Sequence, residues 1–229
     1  MTTGPAKIEA DFIALKTLFA HAGALHGRTG PHALRWGLTE MNVTYANPDR
    51  EISGIGNVFF LGGQFVAEIF GLGMKHGATL LNQWCINETD SVRTDFGYLG
   101  LPGEFYPRSS YYHMQLMSAH LGGMYLSSSD NQDTVKTVAS ADPDHIAVLV
   151  LNQDPTETFA FEVNFGPVPS HSAPLQIQVD TAFAATHSGS IPPQTSQLLL
   201  FNLDGSWQEG WIYGIAQNLK YSGPEPMSR

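Results

Sequence analysis

The 229 residues carry 21 acidic against 11 basic side chains, a formal net charge of −10, with 42% apolar and only 14% charged residues. That balance excludes a protein built to hold nucleic acid or an anionic membrane, since both need clustered Lys and Arg. It leaves enough apolar material for one large domain or two small ones, and an acidic surface that suits a neutral partner such as a carbohydrate. From the N-terminus, Ile8, Phe12, Ile13, Leu15, Leu18 and Phe19 form a helical stripe over Lys7 to Ala22. A Gly-rich connector, 23–32, leads to Leu34, Trp36 and Leu38, which alternate with Arg35, Gly37 and Thr39 as in a short strand. Asn47-Pro48-Asp49 marks a turn in a polar loop over 45–56. Asn57 is an N-cap for a second helix running to Lys75, with Gly77 as its stop. Ala78 to Ile86 reads as a buried strand, 87–106 as a loop, and Ser109 to Leu121 as a third helix introduced by Pro107 and ended by Gly122-Gly123.

After Met124 the pattern changes. Candidate strands cover Thr134–Ala139, His145–Asn152, Thr158–Phe165, Leu175–Phe183, Ser196–Leu203 and Trp207–Tyr213, separated by turn signals such as Asp142-Pro143-Asp144 and Asp204-Gly205. Six short strands in succession predict an antiparallel sandwich. The fold class expected is therefore α+β: residues 1–123 form a partial (β/α) barrel segment of two parallel strands with helices, and residues 124–229 an antiparallel β-sandwich. Residues 221–229 are expected to fray.

Other classes find little support. A single cysteine, Cys85, allows no internal disulfide and no cysteine-ligated zinc. The nine histidines lack zinc-protease spacing, no Gly-x-Ser-x-Gly elbow occurs, and the glycines at 62–63 and 71–73 lie inside an apolar helix without the preceding strand a dinucleotide site requires. No cofactor or metal is expected. No stretch is long and apolar enough to span a bilayer, and Met1-Thr2-Thr3-Gly4-Pro5 lacks signal-peptide character. The expectation is a soluble protein, cytoplasmic or secreted with a leader removed.

Glu40 follows the first strand, in Leu38-Thr39-Glu40-Met41-Asn42. A carboxylate at the end of a strand is where α/β barrels place catalytic side chains, and paired carboxyl groups are how glycosidases cut sugar polymers. The same residue fits a solvated Glu after a strand. Trp84 offers a flat face for a sugar ring or for the core, and Trp36, in phase with Leu34 and Leu38, suits the core. Trp207, Trp211 and Tyr213 are in phase on one face of the last hairpin, for the sandwich core or for a glycan.

The order of these pieces resembles the C-terminal part of clan-A glycoside hydrolases, the barrel enzymes that include families 30, 39 and 51. Leu38-Thr39-Glu40-Met41-Asn42 is similar to the clan's Thr-Glu-x-Asn-like setting at the end of barrel strand seven. Ala78 to Ile86 with Trp84 resembles strand eight, Pro107 to Gly122 the helix that closes the barrel, and 145–154 with 192–196 the appended sandwich. The resemblance implies a glycosidase that acts on polysaccharide or oligosaccharide, with Glu40 as nucleophile and Trp84 supporting the sugar. Within this chain Glu88 is the candidate second carboxyl group, with Asp90 beside it; Asn42, Tyr45 and Asp90 complete the substrate-binding candidates. A retaining enzyme would need the two carboxyl groups ~5–5.5 Å apart and an inverting one ~6.5–9.5 Å. The clan's acid/base, a Glu preceded by Asn at the end of strand four, has no counterpart here. Closing an eight-stranded barrel takes about 200 residues, and only about 120 precede the sandwich. Two parallel strands with uncovered edges lead us to expect a homo-oligomer or a partner chain that covers them. The alternative reading is a non-catalytic carbohydrate-binding or structural module.

Overall fold

The computed structural model describes residues 3–43, 59–87, 96–100, 103, 105–167 and 173–227. Helix α1 (Thr3–Leu25) leads through a single 3-10 turn into β1 (Gly37–Met41); α2 (Phe60–His76), β2 (Leu80–Gln83) and α3 (Ser109–His120) follow. β1 and β2 form a two-stranded parallel sheet. The expected alternation of helix and strand is present, with moved boundaries. The first strand lies three residues later than expected, so Glu40 sits inside it. The second keeps only four residues of the expected run and is not buried: Leu80 is 48% exposed and Asn82 is also exposed. Among the described residues no layer covers that face, so the period-2 pattern has an inner side only. Asn57, the expected cap, lies outside the described residues; the helix starts at Phe60, and Gly77 closes it in the left-handed region at φ 73°.

α2 is apolar all round because it is covered all round. Phe65, Val66 and Ile69 meet Phe12 of α1 and Trp36, Met41 and Val43 around β1. Phe60 and Ala67 meet Leu116 and Met117 of α3 and the sheet beyond. Its glycines sit where neighbours come closest: a Cβ on Gly63 would lie 2.2 Å from Ser109 Oγ, and one on Gly71 2.2 Å from Val138 Cγ2.

The C-terminal part begins with β3 (Met124–Leu126), β4 (Ser128–Asp130), β5 (Val135–Ala141), β6 (Ile146–Asn152) and β7 (Phe159–Phe165). It continues with β8 (Leu175–Val179), β9 (Ala185–Ile191), β10 (Thr195–Phe201), β11 (Trp207–Gly214), a four-residue α4 (Ile215–Asn218) and β12 (Glu225–Pro226). One sheet has the order β12-β11-β10-β6-β5-β3, the other β4-β8-β7-β9. Every pairing between these strands is antiparallel except β7 with β8, which is parallel. The Leu-x-Ile-x-Val period of β8 sets which face is buried and carries no information about direction, so this pairing departs from an all-antiparallel expectation.

β6 and β10 are buried along their whole length. Ile146, Val148, Val150, Leu199 and Phe201 face the second sheet, against Phe161, Val163, Phe165, Leu175, Ile177 and Val179. Ala147, Leu149, Leu151, Leu198 and Leu200 face α2 and α3. The large sheet thus has apolar layers on both sides, which is why Ile146–Leu151 and Leu198–Phe201 read as continuous apolar runs. The tail is held by pairing as far as Met227, where fraying was expected: Pro226 and Glu225 lie against Trp211 and Ile212, and Met227 N–H donates to Gly210 O at 2.8 Å, while residues 228–229 lie outside the described residues. A two-residue strand containing proline is a common way to close a sheet edge.

Candidate functional site

Strands β1 and β2 run in the same direction, so Glu40 and Trp84 arrive at the same end of the sheet. Their pairing is irregular between Leu38 and Met41. Trp36 and Leu38 point at the helices, and so do Met41 and Val43. The irregularity therefore leaves Thr39 and Glu40 together on the open face, both exposed. Bulges beside sites often re-aim a side chain in this way. On β2, Leu81 is inside while Leu80, Asn82 and Trp84 are exposed, Trp84 at 48%. A hollow of about 410 Å³ opens at this end, lined by Thr39, Glu40, Asn82, Trp84, Cys85 and Tyr98 among others.

Asn42 stands just beyond β1 and is committed to backbone. Its Nδ2 donates to the carbonyls of Trp84 and, at 2.8 Å, Phe96, and its Oδ1 accepts from Val43 N–H at 2.7 Å. The segment after β2 doubles back, with Tyr98 N–H donating to Cys85 O at 3.0 Å and Leu99 N–H to Ile86 O at 2.9 Å. Gly97 fits this fold because a Cβ there would lie 2.6 Å from Asn87 Cα. Buried Arg108, at the start of α3, donates from Nη1 to Gly97 O at 2.6 Å.

Of the residues named from sequence, Glu40 and Trp84 come together in the hollow, and Asn42 lies behind it. Tyr45, Glu88 and Asp90 fall outside the described residues. Asn82 and Tyr98 were not anticipated. Asn82 was legible, being two residues before Trp84 and hence on its face. Tyr98 arrives through the doubling back of its segment, which no local pattern signals. Among the described residues no group of three His, Cys, Asp or Glu is placed to hold a metal ion.

The other aromatic candidates have structural positions. Trp36 is 6% exposed and lies 5.1 Å from Phe12, centroid to centroid. The expected single-faced row of Trp207, Trp211 and Tyr213 is broken by a register shift between Leu200 and Phe201. Trp207 turns to the inner core and stacks on His187 at 4.7 Å, whereas Trp211 and Tyr213 face the helices.

Neither a family model nor a curated protein matches the sequence. Solved structures do match in fold. The GH51 α-L-arabinofuranosidase of Thermotoga petrophila RKU-1 aligns over 86% of this chain and 46% of its own, with a TM-score of 0.52 and 14% identity. The α-L-arabinofuranosidase of Thermotoga maritima, in its arabinose complex, aligns over 85% of this chain and 46% of its own, at 0.50 and 11%. A GH30 endoxylanase of Clostridium papyrosolvens C71 aligns over 71% of this chain and 41% of its own, at 0.46 and 11%. The chain spans less than half the length of each. Its fold is that of the matched part of the two arabinofuranosidases, a glycoside-hydrolase-like arrangement of a short parallel sheet with helices joined to a β-sandwich.

Proposed function

We propose that this chain hydrolyses glycosidic bonds in an oligosaccharide or polysaccharide, with Glu40 as the nucleophile of a retaining reaction. The observation that carries the reading is the meeting of Glu40, Asn82 and Trp84 in one hollow at the C-terminal ends of two parallel strands, the end at which barrel enzymes carry out their chemistry. The indole of Trp84 supports a sugar ring, and Glu40 attacks the anomeric carbon. Glu88, close to Trp84 in sequence, protonates the leaving oxygen and then activates water. Tyr45 and Asp90 are proposed substrate contacts on the same sequence grounds. The test is release of reducing ends from polysaccharides and of nitrophenol from aryl glycosides, wild type beside Glu40→Gln. Activity lost in the variant is the expected result; equal turnover by the two proteins would overturn the assignment.

Among the described residues no strand pairs with either outer edge of the β1–β2 sheet, which favours a second reading: a chain that acts only when another polypeptide, or further copies of itself, adds strands to those edges. A monomeric, active wild type in analytical ultracentrifugation would dispose of it.

A further inference from the structure

Asn42 had been expected to contact substrate, yet its amide is occupied by the protein. Nδ2 serves two carbonyls, Trp84 O and Phe96 O, and Oδ1 holds the Val43 N–H. Phe96 O also accepts from Cys85 N–H at 3.4 Å, and Trp84 N–H donates to Met41 O at 2.9 Å. The residue after Phe96 is gripped from the other side by Arg108. The segment that carries Trp84 and Tyr98 is therefore tied to the end of β1 by Asn42 and to α3 by Arg108. Both aromatic side chains line the hollow that holds Glu40.

We infer that Asn42 is a positioning residue: by holding the carbonyls of Trp84 and Phe96 it sets the Trp84 indole relative to Glu40, and it does not itself bind sugar. The consequence for turnover rests on the glycosidase reading above; the consequence for Trp84 does not. Asn42→Asp is the sharp probe, because it keeps the Oδ1 acceptor and replaces the donor by an oxygen facing two carbonyl oxygens. Asn42→Ser is a milder second variant should the aspartate impair folding.

The experiment measures acrylamide quenching and emission maximum for wild type, each Asn42 variant, and each of these with Trp84→Phe. The difference within each pair isolates Trp84 from the other three tryptophans. The expected result is a red-shifted, more readily quenched Trp84 contribution in the Asn42 variants, with the thermal transition retained. With 4-nitrophenyl α-L-arabinofuranoside as probe, kcat/KM falls by up to about tenfold, no more than removal of the Trp84 indole itself costs, and the same Asn42 change has little further effect in a Trp84→Ala background. An unchanged Trp84 signal overturns the inference, whether turnover is lost, which would make Asn42 a direct substrate contact, or kept. Absence of turnover in wild type counts against the glycosidase reading alone, since the fluorescence comparison decides the positioning role by itself.

Discussion

His113 Nε2 lies 2.7 Å from Ser196 Oγ, joining α3 to β10 in the layer where the helices meet the large sheet. The bonding around the pair runs in one direction. Gln64 Nε2 donates to Ser196 Oγ at 3.1 Å, the serine hydroxyl donates to His113 Nε2, and His113 Nδ1–H donates to Ser109 O at 2.7 Å. The imidazole is thereby kept neutral with its proton on Nδ1. Burial pushes its pKa down to about 4, the hydrogen bond to Ser109 O opposing only in part. The pair does not form a nucleophilic site: Ser196 and His113 are both fully buried.

A histidine held neutral makes stability depend on pH. With a folded-state value near 4 against 6.5 when exposed, the unfolded chain binds more protons between these limits. The contribution is fully present above pH 6.5 and is lost as pH falls toward 4, about 3 kcal/mol across the window. Urea titrations at pH 7 and pH 4.5 should show this loss in wild type and much less of it in His113→Gln. An equal slope in both proteins would show that other groups carry the acid sensitivity.

Glu68 works in the opposite sense. It lies on α2 and accepts from Gln153 Nε2 at 3.1 Å; burial, the largest influence, raises its pKa, while Lys136 pulls it down and Asp130 pushes it up. A raised carboxyl pKa means that the folded state binds the extra proton. Stability is therefore full below the unfolded value and falls as pH rises through the folded one. Glu68→Gln keeps an acceptor for Gln153 and removes the desolvated charge. The variant should melt higher than wild type at pH 7 and lose that advantage toward pH 4, as read by calorimetry.

Gln64 is the tie between α2 and the centre of the sheet. Besides Ser196 it serves Asn152 O and Thr195 O, both at 3.1 Å, which are register partners at the ends of β6 and β10. Gln64→Leu has nearly the same size but leaves two buried carbonyls and a hydroxyl without their donor. The expected cost is about 3 kcal/mol or more, measured by chemical denaturation. A loss below about 1 kcal/mol would mean that water or rearrangement replaces the amide.

Two glycines separate close approach from backbone conformation. A Cβ on Gly63 would meet Ser109 C at 2.5 Å and His113 Nδ1 at 2.6 Å, so Gly63→Ala must part α2 from α3; about 3 kcal/mol is expected. At Gly27 nothing lies within 4 Å, and only its φ of +65° opposes a side chain. Gly27→Ala should cost only ~1 kcal/mol. Comparable losses for the two would contradict the packing of α2 on α3.

These residues also show where sequence reading succeeds. The runs through Ile146–Asn152 and Thr195–Phe201 were legible because both faces are buried and every residue is selected for burial. β9 was missed because an edge strand needs little burial: only Ile191 is fully enclosed, and Gly189 lies under the Phe161 ring. The role of Gln64 has no local signal, because its three acceptors come from strands 88, 131 and 132 residues away. Glu40 and Trp84 were legible as strand-end residues. The bulge that turns Thr39 and Glu40 outward was not, since it is a property of the pairing rather than of either strand.

Trp36 and Trp84 offer the clearest contrast between a tryptophan enclosed by the fold and one exposed over the hollow. Trp36 is enclosed among Phe12, Met41 and Val43, so Trp36→Ala should cost roughly 3–5 kcal/mol and lower the melting temperature whatever the ligand. Trp84 has half its surface in solvent over the hollow, so Trp84→Ala should leave the melting temperature nearly unchanged. On the proposed function it should reduce kcat/KM roughly tenfold by removing the surface on which the sugar rests. Calorimetry beside aryl-glycoside kinetics on the two variants measures both effects. A Trp84→Ala protein that unfolds as readily as Trp36→Ala would place this indole in the core of the fold and take it out of the site.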